Sequence, residues 1–337
     1  MSQKTALVSI IIPTYKRTRF IERAIDSALN QTHNNIEVIV VDDNGDGTPD
    51  REAMEKIMAR YVNNPCVIYK KHKQNLNGAS ARNTGIAAAK GDFVTFLDDD
   101  DFFLKDRIEQ LVHKISNTKY DCAYTNVIKI SGNRVKSLER TPGSGNFATR
   151  VLAQRPFLGT GSNMFFRAST LKELGGFDTS FKRNQDLEIM VRFFREHEIL
   201  KVKNYSVVKD ESDRTNASNI DTIIKTREYF LDTFNSDISK IGHRKYIYKE
   251  NYQSLINSIA KYGDNVIMRK NVINKAKSEG INNLAVKRFT SHFIVNTLGK
   301  IRNKCPRSLF LNASERASLS FYLDGAYRCH SERGKHD

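Results

Sequence analysis

The chain has 337 residues, enough to bury a large core, and its 39% hydrophobic and 27% charged side chains exclude a disordered chain. Fifty-four Lys+Arg against 38 Asp+Glu give a formal net charge of +16, and six prolines exclude a Pro-rich scaffold. No run of about 18 apolar residues marks a transmembrane helix.

The N-terminal apolar run Ala6–Ile12 stops at Pro13, which reads as a buried strand and not as a secretory leader. Leu7–Ile12 is then a strand covered on both faces, and Phe20–Leu29 a helix with Ile21, Ala24, Ile25, Ala28 and Leu29 on one face. Ile36–Val41 is a second strand, ending at Asp42-Asp43-Asn44-Gly45. The spacing predicts a helix over Asp50–Tyr61, a short strand at Val67–Lys70, an Ala-rich helix over Ala79–Ala89 and a buried strand at Phe93–Leu97. A helix over Asp106–Ile115 and a strand over Asp121–Ile130 follow. Thr141–Gly161 reads as a loop or flap, Ser162–Phe166 as a strand, and Asp186–His197 as an amphipathic helix. Past about Asn219 strand signals fade, and 220–234, 244–261 and 265–278 look helical. The four cysteines, Cys66, Cys122, Cys305 and Cys329, form no CxxC pair, which points away from zinc and towards a reduced, cytoplasmic setting.

Repeated strand–helix–strand units imply an α/β fold with a mostly parallel sheet, whose ligands bind at the carboxyl ends of the strands. Those ends carry Pro13-Thr14-Tyr15, Asp42-Asp43 and Asp98-Asp99-Asp100-Asp101. Clustered carboxylates repel, and a divalent cation relieves the cost. In an extended segment Asp98 and Asp100 would face one site, and hard oxygen ligands suit Mg²⁺ or Mn²⁺ bridging to a diphosphate. The alternative is that these aspartates cap a helix starting near Lys105.

The segments VSIIIPTYKR (8–17), EVIVVDD (37–43), ARNTGI (81–86), GDFVTFLDDDD (91–101) and GGFDTSFKRNQDLEIMVRF (175–193) together resemble the inverting family-2 glycosyltransferases of GT-A fold, which build bacterial polysaccharides and lipid-linked glycans. The resemblance covers residues 7 to about 216. It implies that Thr14 and Tyr15 line the uracil pocket, that Asp43 accepts the base N3–H, and that Arg82 approaches the nucleotide. It further implies Asp98 on the ribose, Asp100 on the metal, and Pro13, Arg17 and Asp99 in the same donor site. Asp186 falls at the position of the catalytic base. Gln185 stands where many members carry Glu, which bears on the tuning of Asp186. Arg192, six residues on, would aid the diphosphate or pair with an acid.

Gly159-Thr160-Gly161-Ser162-Asn163-Met164 begins like a dinucleotide fingerprint but lacks its third glycine, and reads as an acceptor-side loop. The eight histidines form no HExxH pattern. An Asp-nucleophile phosphatase wants a different residue after its Asp-x-Asp, and a nucleotidyltransferase wants a Gly-rich loop where Pro13–Arg17 stands.

Residues 1–219 hold 33 basic and 27 acidic side chains, and residues 220–337 hold 21 and 11. The expectation is a GT-A catalytic domain over 1–219 and a basic, mainly helical C-terminal region over 220–337. The expected reaction is Mn²⁺- or Mg²⁺-dependent transfer from a nucleotide sugar, a UDP-sugar in the first instance, to a glycan or lipid-linked acceptor. The basic region, with Arg269-Lys270, Lys287-Arg288 and Lys300–Arg307, would hold the enzyme peripherally on the inner, anionic face of a membrane, with Ile294, Val295, Leu298 and Ile301 inserting. The competing use of that stripe is packing on the catalytic domain or in a homo-oligomer. Nucleic acid is no partner in this reading. The alternative function is a non-catalytic basic protein that binds anionic lipid or nucleic acid.

Overall fold

The computed structural model describes residues 5–155, 157–212, 219–262, 265–285 and 311–322, which fall into two units. The first takes the described residues of 5–146, 158–212 and 311–322; the second takes those of 147–157 and 219–285.

In the first unit the sheet is seeded by β1 (Val8–Thr14), whose apolar residues are buried on both faces. Alternation sends Ile10 and Ile12 towards α1 (Ile21–Leu29), whose Ile21, Ala24, Ile25 and Ala28 share their core. Ile11 points the other way, onto α3 (Gly78–Ala88) at Gly85. The remaining elements are β2 (Ile36–Asp42), α2 (Pro49–Met58), β3 (Val67–Lys71), β4 (Phe93–Phe96), β5 (Phe102–Phe103), α4 (Arg107–Ser116), β6 (Cys122–Ser131), β7 (Arg134–Glu139), β8 (Phe165–Arg167), α6 (Ala168–Glu173), α7 (Gln185–Phe193) and β9 (Ile199–Asp210). Strand order is β3-β2-β1-β4-β8-β6-β9-β5, with β7 paired to β6. β3, β2, β1 and β4 run parallel, in a register that sets Thr14 beside Asp42 and Ile11 beside Phe96. That register brings the three polar strand ends to one edge. β8 is antiparallel to both β4 and β6, and β6 and β9 are parallel.

Three readings are corrected. Residues 98–101 are not extended: Asp101 N–H bonds back to the Asp98 carbonyl, making a turn. Those aspartates cap no helix either, because β5 intervenes and α4 starts at Arg107. The segment read as a strand from Ser162 opens with a short 3-10 turn, Gly161–Asn163, and extends only from Phe165.

Residues 313–322 are helical and belong with the first unit, where Leu319 and Tyr322 pack on Phe102, Ile128 and Val208. Asn312 and Glu315 form a reciprocal capping box at this helix start, and Glu315 also accepts from Tyr205 N–H.

The second unit consists of α5 (Ala148–Leu152), within the segment read as a flap, then α8 (Ile220–Thr233), α9 (Asn235–Ile241), α10 (Arg244–Lys261) and α11 (Val266–Ser278). α10 is its axis, burying Ile247, Tyr248, Asn251, Tyr252, Leu255, Ile256 and Ile259. The buried Asn251 donates to the Leu152 carbonyl and accepts from Arg227, so its amide is satisfied on both sides. No helix among the described residues is long and apolar enough to cross a membrane. Lys287-Arg288, the 294–301 stripe and the Lys300–Arg307 cluster lie outside the described residues.

Candidate active site

The turn Asp98–Asp101 is the centre of the site, and its four carboxylates divide by depth. Asp99 and Asp101 are buried, while the Asp98 and Asp100 side chains keep 31% and 22% exposure. Asp98 and Asp100 thus share the open side, as alternation along an extended segment would also have placed them. Asp99 accepts from the Thr14 hydroxyl at 2.8 Å, which ties the end of β1 to the turn. Asp101 accepts from Thr160 and Ser162, both at 2.7 Å, and Ser162 Oγ in turn accepts from Asp98 N–H. Burial pushes Asp99 up to about 8 and Asp101 up to about 7, with the neighbouring carboxylates adding to both shifts. Asp100 is raised by burial and by Asp98.

Besides Arg82, which pairs with Asp98, three cations answer this charge. Arg17 pairs with Asp100 and lies 3.7 Å from Asp99. Arg23, stacked over Phe20 and Phe102, donates to the Asp100 carbonyl at 2.7 Å and to Asp210 at 2.9 Å. Lys209 on β9 acts electrostatically on Asp100, Asp101 and Asp186. The sequence pattern singles out neither Arg23 nor Lys209, and the strand that carries Lys209 is one it does not reveal.

Pro13, within β1, is half-buried, Tyr15 is exposed, and Thr14 is buried at the strand's end with its hydroxyl on Asp99. Lys16 takes a positive φ of 58° and donates its N–H to Asn44 Oδ1. At the end of β2, Asp43 is buried and each of its oxygens accepts two bonds. Oδ1 meets His72 Nδ1 and Leu76 N–H, and Oδ2 meets Asn75 Nδ2 and Asn77 N–H. Asp43 therefore holds loop 72–77, and its two oxygens are each engaged twice within the chain.

Arg82 crosses from α3 to the turn, donating to Asp98 Oδ1 at 2.7 Å and to Gln185 Oε1 at 2.8 Å. The next residue, Asn83, brackets Phe177 with two 2.8 Å bonds, which fixes α3 against the segment leading into α7. Asp186 lies in the first turn of α7. Burial raises it, while Arg82 and the Leu187 N–H work the other way. Gly161 separates the two halves of the site: a Cβ there would lie 3.7 Å from Asp98 Oδ2 and 4.0 Å from both Arg82 Nη2 and the Asp186 Cβ. The loop read as acceptor-side is thus a wall against the same cluster of side chains.

Behind that wall sits Arg107, fully buried, whose charge is disfavoured by burial. It donates to Thr125, Asn163 and Ser206 and to the Ser162 carbonyl, which anchors the 160–163 turn from below. Arg192 pairs with the buried Glu188 and donates to the Leu174 and Gly176 carbonyls. It pairs with an acid, and Glu188 is thereby engaged.

A divalent cation fits this donor set. The open side of the turn offers hard carboxylate oxygens on Asp98 and Asp100, and Arg17 already sets a cation against Asp100. Among the described residues no three His, Cys, Asp or Glu side chains converge on one point. The protein would therefore supply few ligands, leaving the rest to substrate phosphate and water.

The Glycosyl transferase family 2 model matches residues 9–175, spanning β1, the aspartate turn and Gly161. WcaA of Escherichia coli K12, named as a colanic acid biosynthesis glycosyl transferase, is 31% identical over 195 residues, covering 57% of this chain and 67% of its own length. The chain belongs to glycosyl transferase family 2. It spans about a quarter to a third of the length of several other curated relatives it matches, 22% of one from Rickettsia bellii and 36% of EpsJ from Bacillus subtilis. Among solved structures, residues 1–349 of S. aureus TarS in complex with UDP-GlcNAc give a TM-score of 0.53 at 14% identity, covering 96% of this chain and 92% of that one. The mannosyltransferase PcManGT from Pyrobaculum calidifontis, in complex with GDP-Man and Mn²⁺, gives 0.52 at 19% identity over 96% and 86%. At these identities the likeness is one of fold, and the fold is GT-A, here with a helical C-terminal region.

Proposed function

We propose that the chain is an inverting glycosyltransferase that moves a sugar from a nucleoside-diphosphate donor, a UDP-sugar in the first instance, to a hydroxyl of a glycan or lipid-linked acceptor. The observation that carries this reading is the placement of Asp186 across Gly161 from Asp98, with Arg82 between the two acids. Asp98 would hold the donor ribose, the Tyr15 face the base, and Arg17 and Lys209 the diphosphate. Asp186, raised by burial, would take the proton of the acceptor hydroxyl as its oxygen attacks the anomeric carbon, and the sugar–phosphate bond would break on the opposite side. An α-linked donor then gives a β-linked product. Asp100 would hold Mn²⁺ or Mg²⁺, which when bound supplies charge neutralisation on the departing diphosphate. The nucleotide sugars bound by the two solved neighbours, UDP-GlcNAc and GDP-Man, set the test. A thermal-shift panel of UDP- and GDP-sugars with and without Mn²⁺ should show the largest stabilisation with a UDP-sugar plus metal. A larger shift with GDP-mannose reassigns the base, and no shift with any member contradicts the reading.

We further propose peripheral attachment to anionic lipid on the cytoplasmic side of a membrane, where a lipid-linked acceptor would lie. α11 carries Arg269, Lys270, Lys275 and Lys277 with no acid, and its first turn leaves Val266 and Ile267 at 63% and 73% exposure.

A further inference from the structure

Gln185 uses both ends of its amide. Its Oε1 accepts from Arg82 Nη1 at 2.8 Å, and its Nε2 donates to the Phe181 carbonyl at 2.9 Å. A guanidinium cannot accept and a carbonyl cannot donate, so the orientation of the amide is forced by its two neighbours. A carboxylate at this position would set an oxygen against the Phe181 carbonyl and add a negative charge next to Asp186. Space is tight as well: a Cβ on Gly78 would lie 3.0 Å from Arg82 Nη1 and 3.1 Å from Gln185 Oε1. Gly78 thus lets α3 begin close against the Arg82–Gln185 pair.

We propose that Gln185 is a positioning residue. It holds Arg82 across Asp98 through a neutral acceptor, which leaves the guanidinium charge divided between Asp98 and Asp186 instead of being drawn to a third carboxylate. The charged groups that face Asp186 are Arg82 from α3, Asp98 from the turn after β4 and Lys209 from β9. Of these, Arg82 is the one Gln185 touches. A glutamate at 185 would compete for Arg82 and repel the Asp186 carboxylate, and both effects keep Asp186 protonated to higher pH. The neutrality of the side chain at 185 therefore keeps the acid limit low, and its amide sets the pose of Arg82 on Asp98.

This inference rests on Asp186 as the base, and the test separates the two. Gln185→Glu, Gln185→Leu and Asp186→Asn are made in the full chain. Hydrolysis of the nucleotide sugar giving the largest thermal shift, with Mn²⁺ present, is followed from pH 4.5 to 8.5 as release of nucleoside diphosphate. Gln185→Glu, nearly isosteric, should move the acid limb of kcat/KM up by about one pH unit. Gln185→Leu should leave that limb in place and raise the donor KM roughly three- to ten-fold, because Arg82 loses an acceptor. An unmoved limb in the glutamate variant, or an unchanged donor KM in the leucine variant, overturns the proposal. Should the glutamate variant fail to fold, the leucine variant's KM decides. Near-normal turnover in Asp186→Asn overturns the base assignment itself, whatever the Gln185 variants do.

Discussion

The Thr14 hydroxyl donates to Asp99 Oδ2 at 2.8 Å, joining the ends of β1 and β4 across 85 residues of sequence. Both groups are buried and bonded to each other. The bond makes the aspartate turn part of the sheet, so the open pair Asp98 and Asp100 stands on a fixed base. Thr14→Val keeps the shape and removes the donor, leaving a buried carboxylate short of a partner. Urea denaturation should show a loss of about 1–3 kcal/mol, and a change below about 0.5 kcal/mol would mean that Asp99 is satisfied without it.

Gly85 is where α3 touches β1. A Cβ there would fall inside the Ile11 side chain, with Cγ1 at 3.0 Å and Cδ1 at 3.1 Å. Because α3 also carries Arg82, pushing it outward strains the Arg82–Asp98 pair. Gly85→Ala, favourable by helix propensity alone, should therefore destabilise by about 1–3 kcal/mol. A neutral or stabilising result in the same denaturation assay would contradict this packing account.

The alternating strands and helices up to Ile130 are legible because their signals are local. β1 and β2 are continuous apolar runs, and α1 repeats its apolar residues at helical spacing. The acidic strand ends are legible through their order and spacing, and Asp186 is singled out only by the family resemblance. What stays hidden depends on register and on contacts distant in sequence. Lys201 and Lys203 interrupt the apolar pattern of β9, so nothing local places its Lys209 near Asp100. Nothing local singles out Arg23 of α1, which stacks over Phe102 of β5. The 98–101 turn closes through one backbone hydrogen bond that composition does not announce. Asp43 reads as a ligand group, and the four donors around it come from a loop some thirty residues on.

Asp100→Ala should remove the metal-dependent part of donor stabilisation and leave the metal-independent part. Thermal shifts with a UDP-sugar, measured with Mn²⁺ and with EDTA, check this. The difference between the two conditions should be clear in the wild type and close to zero in the variant. A full Mn²⁺ effect in Asp100→Ala would place the cation elsewhere.

Membrane attachment through α11 predicts that the protein sediments with vesicles containing anionic lipid at low salt and is released as salt rises. Val266→Ser combined with Ile267→Ser should cut the bound fraction several-fold. Protein that stays in the supernatant with such vesicles would instead leave the 266–267 face to another role, such as contact with a second copy.

The central claim is that Asp186 is the base, and its direct test is the rate of sugar transfer in Asp186→Asn beside the donor affinity of the same variant. Asparagine keeps the shape at the start of α7 and removes the proton acceptor. Because burial raises Asp186, the acid limb of wild-type transfer should lie above the ordinary aspartate range, near pH 4. The predicted result is a rate lower by about 10²–10⁴ with donor affinity within a few-fold of wild type. Transfer at a near-normal rate, with the same acid limb, would contradict the account.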